Sequence, residues 1–216
     1  MLKRNLQEPH EDAKGKILNS RNLATNEDVR ELLTQIQGDE LLWVILMVVT
    51  GRRSIDVSRM KWQHIRKFGD KLGVMIPKDK SSKNPVSFSF TWKEFDVGGF
   101  DIDTVKSEFE ASCDEKSGFV INSENESENT REKHLVAMKQ RISRKSKFNL
   151  HALRARRAVI ELMKGKKESL VKAKLGWKSE AMVRYYTILS ADQVCEFENY
   201  ESFCVYLKTQ MIIQKT

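Results

Sequence analysis

Nine consecutive apolar residues, Leu41 to Val49, constrain this chain more than any other stretch. The run is too short to cross a bilayer, which takes about 20 apolar residues. It is also apolar on every side of a helix, so other elements must wrap it. The segment predicts a central helix over 39–49, broken by Gly51. Ahead of it, Thr25-Asn-Glu-Asp28 reads as a capping box opening a helix whose Val29, Leu32, Leu33 and Ile36 form one apolar stripe. A further helix is expected from Ser54 to near Trp62.

The period then changes. Leu72-Gly-Val-Met-Ile76 and Val86-Ser-Phe-Ser-Phe90 flank a Lys/Ser/Asn/Pro-rich turn and predict a β-hairpin. Residues 94–130 are weakly patterned, with one helix expected near 103–112 and a solvated loop over 123–130. Asn149 is a natural N-cap for a helix carrying His151 and Arg154 one turn apart. A helix over 168–175 should stop at Gly176, and Ser179 should cap one of about ten residues bearing Tyr185 and Tyr186. Val194, Phe197, Tyr200, Phe203 and Leu207 predict one amphipathic final helix. The expected fold class is mainly α with a small antiparallel β-sheet (α+β). The expected division is an N-terminal arm or linker remnant over 1–24, a catalytic domain over 25–190 and a helical tail over 191–216.

Charge adds a partner class. The formal net charge is +8, but residues 135–184 hold 15 Lys or Arg against 3 Asp or Glu, while 94–130 hold 2 against 11. Such segregation predicts one surface built for a polyanion and another facing away from it. Three cysteines without a CxxC spacing predict neither a disulfide framework nor a zinc site, and place the chain in a reducing compartment. With no signal pattern at its start, the chain is expected to be intracellular, in cytoplasm or nucleoid, or in a host nucleus.

Four short boxes carry the chemistry. Thr50-Gly-Arg-Arg53 follows the buried helix, and Asp56 stands three residues later. His151-Ala-Leu-Arg154, Leu175-Gly-Trp177 and Tyr186-Thr187 follow in order, with Tyr186 nine residues beyond Trp177. Attack on a phosphodiester builds negative charge on its non-bridging oxygens, which fixed guanidinium groups can stabilise. Arg53 and Arg154 are the candidate clamps. His151 can accept or donate the proton, Trp177 offers an indole N–H and apolar bulk, and Tyr186 supplies a phenol nucleophile. Tyr185 and Tyr186 sit about 100° apart on a helix, so only one can face Arg154. Taken singly, each residue has a plainer reading, Arg53 as a helix-start arginine beside Arg52, His151 as a cap and Trp177 as a core aromatic. His64 and His134 carry no motif and read as structural.

In order and spacing these boxes resemble those of the tyrosine recombinases, the phage-integrase family, over residues 25–190. Trp177 departs from the commoner His of that box, and the family's spacing, with the following Thr, favours Tyr186 over Tyr185. The resemblance implies the tyrosine-recombinase catalytic-domain fold and a DNA recombinase or integrase working through a 3′-phosphotyrosine, without metal, ATP or other cofactor. It also implies a general-acid lysine on the hairpin turn, here Lys80, with Lys78 as the alternative. Lys78, Lys83, Arg156, Arg157, Lys174 and Lys178 are the expected DNA contacts. Expected partners are double-stranded DNA, three further copies in a tetramer, and accessory DNA-bending proteins, with no membrane. The tail resembles a helix lent to a neighbouring protomer, the alternative being packing on its own domain. The family's usual N-terminal domain is absent from 1–24, which implies a fragment or a minimal recombinase. The competing functions are a type IB topoisomerase or telomere resolvase, and a non-enzymatic DNA-binding derivative.

Overall fold

Thr25 opens the described structure as a cap. Its hydroxyl accepts from the Asp28 amide at 3.1 Å while the Asp28 carboxylate accepts from the Thr25 amide at 3.3 Å. In the computed structural model, residues 24–78, 85–121, 127–187 and 189–213 are described. Helix α1 (Asn26–Gln35) buries Val29, Leu32 and Leu33 against α2 (Gly38–Thr50), whose residues Trp43–Thr50 are all buried. From Trp43 on the apolar run is thus enclosed, and the arm expected over 1–24 lies, but for Ala24, outside the described residues.

Helix α3 (Ser54–Ser58) is shorter than expected. Beyond it the backbone turns its hydrogen bonds to a distant segment, with the Trp62 amide donating to Gly118 O and Val120 N–H to Met60 O. That pairing leads through a 3-10 turn at Trp62–His64 into a strand the sequence did not announce, β1 (Ile65–Phe68). Only Ile65 of β1 is buried, so no alternation marked it. Strands β2 (Lys71–Ile76) and β3 (Val86–Phe90) form the expected hairpin, and the antiparallel order is β1-β2-β3. Leu72 pairs with Phe90 and Val74 with Phe88, giving the sheet an inner face. Trp62, Phe90, Trp92 and Phe109 pack beneath it.

Helix α4 (Asp103–Glu115) matches its expectation; α5 (Glu128–Lys145) begins inside the stretch expected to be loop, capped by Ser127. Helix α6 (Ala152–Met163) is the second central element, packed on α2 and flanked by α7 (Glu168–Leu175) and α8 (Ala181–Thr187). The expected single final helix is two. Ser190 caps α9 (Ala191–Cys195) with a capping box to Gln193, and Asn199 accepts from the Ser202 amide at the start of α10 (Tyr200–Ile213). Local capping on both sides of 196–199 overrides the continuous apolar pattern. Both helices lie on α6 of their own domain, burying Val194, Tyr200, Phe203, Cys204 and Leu207. Tyr200 Oη donates to Ala24 O at 3.0 Å, and Glu201 accepts from the Asn26 amide at 2.8 Å. Among the described residues no helix is long and apolar enough to cross a membrane.

Candidate active site

The end of α2 sorts two adjacent arginines. Thr50 Oγ1 donates to Leu46 O and accepts from the Arg52 amide, while Gly51, at φ 62°, returns its N–H to Met47 O. A Cβ at Gly51 would meet Leu175 Cδ2 at 2.5 Å, so the turn requires glycine for space as well as for its dihedral. Past this turn Arg52 points inward and Arg53 outward. Arg53 grips Asp56 through a fork, Nε to Oδ2 at 3.0 Å and Nη2 to Oδ1 at 3.2 Å. Its side chain stays 56% exposed while that of Asp56 is 3% exposed. The carboxylate aims the guanidinium and leaves it open to a ligand.

Helix α6 brings the second pair. Asn149 Oδ1 accepts from the His151 amide at 3.0 Å, and the helix proper starts one residue past His151. Arg154 is buried, donates from Nη1 to Gly51 O at 2.9 Å, and stands 5.0 Å over the Trp177 ring. Gly176, at φ 69°, ends α7 and lets Trp177 N–H reach Lys172 O at 2.9 Å. The Trp177 indole then lies flat on Tyr186, centroids 5.0 Å apart and planes 8° apart. Tyr186 Oη and His151 Nε2 are hydrogen-bonded at 2.6 Å. Tyr185 meets only the edge of the Tyr186 ring, at 5.2 Å. An open pocket of about 650 Å³ is lined by Arg52, Arg53, His151, Arg154, Trp177 and Tyr186.

Electrostatics set the resting state. Burial, then Arg154 and Arg53, push the His151 pKa below its ordinary 6.5. Burial raises that of Tyr186, opposed by Arg154 and Arg53. Both partners are therefore neutral near pH 7, with imidazole free to take the phenol proton. Burial, with Arg52 adding to it, lowers Arg154 to about 10, so it keeps its charge. An anion entering the pocket meets cations on two walls and a phenol beside a base.

Arg53, His151, Arg154, Trp177 and Tyr186 are brought together, and exposed Lys178 lines the same pocket. Lys78 is exposed past the end of β2, while Lys80 and Lys83 lie outside the described residues. Three expected DNA contacts are corrected. Arg156 is 2% exposed and bonded to Asp96 and Asn26, and Arg157 is 0% exposed and paired with Glu161. Lys174 is paired with Glu94 and Glu161. The basic density of 135–184 is thus partly internal: α6 is surrounded, and Glu94 and Asp96, at the head of the acidic segment, fold onto it instead of facing away. The sequence reading also missed Arg52 as a pocket residue, since the motif spacing selects its neighbour.

No family model and no curated protein sequence matches the chain. Solved structures do. The XerH site-specific recombinase, in a post-cleavage complex with its palindromic difH substrate, superposes with a TM-score of 0.55 at 15% identity, over 91% of this chain and 57% of that one. The XerA recombinase gives 0.51 at 18% identity, over 80% of this chain and 60% of that one. The chain spans a little under two thirds of the length of these recombinases, 57% and 60%. With its helices, its three-stranded sheet and the order of its elements, the chain has the fold of the tyrosine-recombinase catalytic domain.

Proposed function

We propose that this protein breaks and rejoins duplex DNA as a site-specific recombinase or integrase, with Tyr186 as nucleophile. The observation that carries this reading is the Tyr186 hydroxyl, hydrogen-bonded to His151 at 2.6 Å in a pocket walled by Arg53 and Arg154. The phenol oxygen attacks phosphorus as His151 takes its proton, and the bond from phosphorus to the 5′ oxygen breaks. Arg53 and Arg154 hold the charge gathering on the non-bridging oxygens. Lys80, or Lys78, protonates the departing 5′ oxygen. The 3′-phosphotyrosine keeps the energy of the broken bond, so a 5′ hydroxyl from a second duplex can reverse the step without ATP. XerH is bound to its palindromic difH substrate in a post-cleavage complex, which supports DNA as the partner here. Four protomers on two duplexes, and accessory DNA-bending proteins, belong to the same reading.

Covalent trapping tests it. Nicked duplexes with randomised sequence around the nick would be incubated with the protein, and SDS-resistant adducts collected. The expected result is an adduct with wild type and Tyr185→Phe and none with Tyr186→Phe. An adduct that survives Tyr186→Phe would remove Tyr186 from the reaction. DNA binding with no wild-type adduct, also at mapped sites, would favour a non-enzymatic DNA-binding role.

A further inference from the structure

Arg52 lines the same pocket as Arg53 and Arg154, yet the chemistry above gives it no task. Its side chain is buried, at 5% exposure, and its hydrogen bonds end on main-chain carbonyls of two separate elements. Nη1 donates to Leu175 O at 3.2 Å and Nη2 to Ser87 O at 2.6 Å. Leu175 is the last residue of α7, directly before Gly176 and Trp177. Ser87 lies in β3, which among the described residues is an edge strand paired only with β2. The guanidinium also covers the Phe88 ring at 4.7 Å.

Two further observations indicate a built position. A Cβ on Gly176 would lie 2.2 Å from Arg52 Nη1, so the glycine clears the space this fork occupies. Among the described residues no carboxylate contacts Arg52, and the nearby Asp56 already engages Arg53 through both oxygens. Burial lowers the Arg52 pKa to about 10, with Asp56 raising it and Arg53 lowering it further. A buried cation without an acid is costly, and a simple core strut would be better served by an apolar side chain. A planar fork holds two diverging carbonyls in fixed directions, which the rotatable donors of a lysine do not pre-organise.

We propose that Arg52 is a positioning residue: its fork ties the Leu175–Trp177 turn to β3 and thereby fixes the indole on which the Tyr186 ring stacks. The consequence for catalysis rests on the reading of Tyr186 as nucleophile. Nη1 and Nη2 are held by protein carbonyls and Nε is buried without a partner, so Arg52 acts on DNA through Trp177 and Tyr186.

Two variants test this, Arg52→Met and Arg52→Lys, each compared with wild type below its thermal transition. Arg52→Met should bind nicked duplex with unchanged affinity, while its single-turnover rate of adduct formation at saturating DNA falls by about 100-fold, the scale of an ångström-sized misplacement. Arg52→Lys keeps the charge but not the fork and should fall nearly as far. Should Arg52→Met fail to fold, Arg52→Lys carries the same test. A wild-type rate in Arg52→Lys would assign the effect to charge and overturn the proposal. So would a lowered melting temperature with no loss of rate, which marks a purely structural residue. Weakened DNA affinity at an unchanged saturated rate would make Arg52 a direct phosphate ligand and also overturn it. A second readout needs no DNA: amide hydrogen exchange in both variants should rise at 176–177 and 86–88 and stay unchanged through α1 and α2. Unchanged exchange at 176–177 would sink the tie itself. A wild type that forms no adduct would overturn the nucleophile reading and leave the tie to be decided by exchange alone.

Discussion

At the scale of single residues, the pocket holds a phenol and an imidazole whose pKa values burial drives in opposite directions, Tyr186 up and His151 down. In the DNA-free protein the pair shares a proton without ionising. The imidazole must be unprotonated to act as base, so activity is lost as pH falls through the depressed His151 pKa. The second-order rate of adduct formation, which reports the DNA-free enzyme, should therefore show an acid limb centred below 6.5, the ordinary value for His. His151→Gln should abolish that limb and lower the rate by about 100-fold or more. A limb centred above 6.5 would contradict the depressed pKa. At this scale the sequence was informative where its boxes resemble those of the tyrosine recombinases. Tyr186 was separated from Tyr185 by its distance from Trp177, and Arg53 from Arg52 by the Thr-Gly-x-Arg pattern. The role of Arg52 was not legible, because its partners are carbonyl oxygens of Ser87 and Leu175, and no residue type advertises a main-chain acceptor.

At the scale of elements, α6 repays comparison with what its sequence suggested. Arg156 and Arg157 look like a surface pair until Asp96, Glu94 and Glu161 are brought to them from far along the chain and from one turn away. A charge count cannot distinguish a solvated lysine-rich face from an internal ion cluster, since only tertiary contact pairs the charges. The centre of the cluster is Glu161, whose carboxylate meets Arg157, Lys166 and Lys174. Burial would raise its pKa, but these three cations overcome it and hold it at about 2. Because this folded-state pKa lies below the ordinary 4.5, the carboxylate's contribution is complete above 4.5 and is lost as pH falls toward 2. Glu161→Gln should cost about 3–5 kcal/mol in urea denaturation at neutral pH, since it leaves buried cations without their acid. The deficit should shrink as pH is lowered through that window. A neutral-pH loss below about 1 kcal/mol, the scale of an exposed ion pair, would show that Glu94 and Asp96 suffice without it. The capping box at Thr25, the buried α2 and the α7 stop at Gly176 were all legible, each being a local rule with a local signature. Strand β1 and the break between α9 and α10 were not, because each is settled by a partner or cap outside the hydrophobic pattern.

At the scale of the whole molecule, the fold class and the grouping of the four boxes could be read in advance, whereas the disposition of the tail could not. An amphipathic helix packs as well on its own domain as on a neighbour, and sequence contains no term that separates them. Here Val194, Phe203 and Leu207 lie against the domain that bears them. Burying each such side chain contributes roughly 1.5–3 kcal/mol, comparable in sum with the whole stability of a typical domain. Removing residues 191–216 should therefore abolish the cooperative thermal transition of the isolated protein. A truncated chain that still melts cooperatively would mean the tail is free to be lent to another protomer, and sedimentation on DNA with and without it would then show whether assembly depends on that loan.

The bonds from Tyr200 to the Ala24 carbonyl and from Glu201 to the Asn26 amide carry one more implication. They form a clasp where the polypeptide leading into α1 crosses the root of α10. Both contacts fall in the first turn of α10 and not at its far end. Undocking α10 would break both bonds and so free the start of α1.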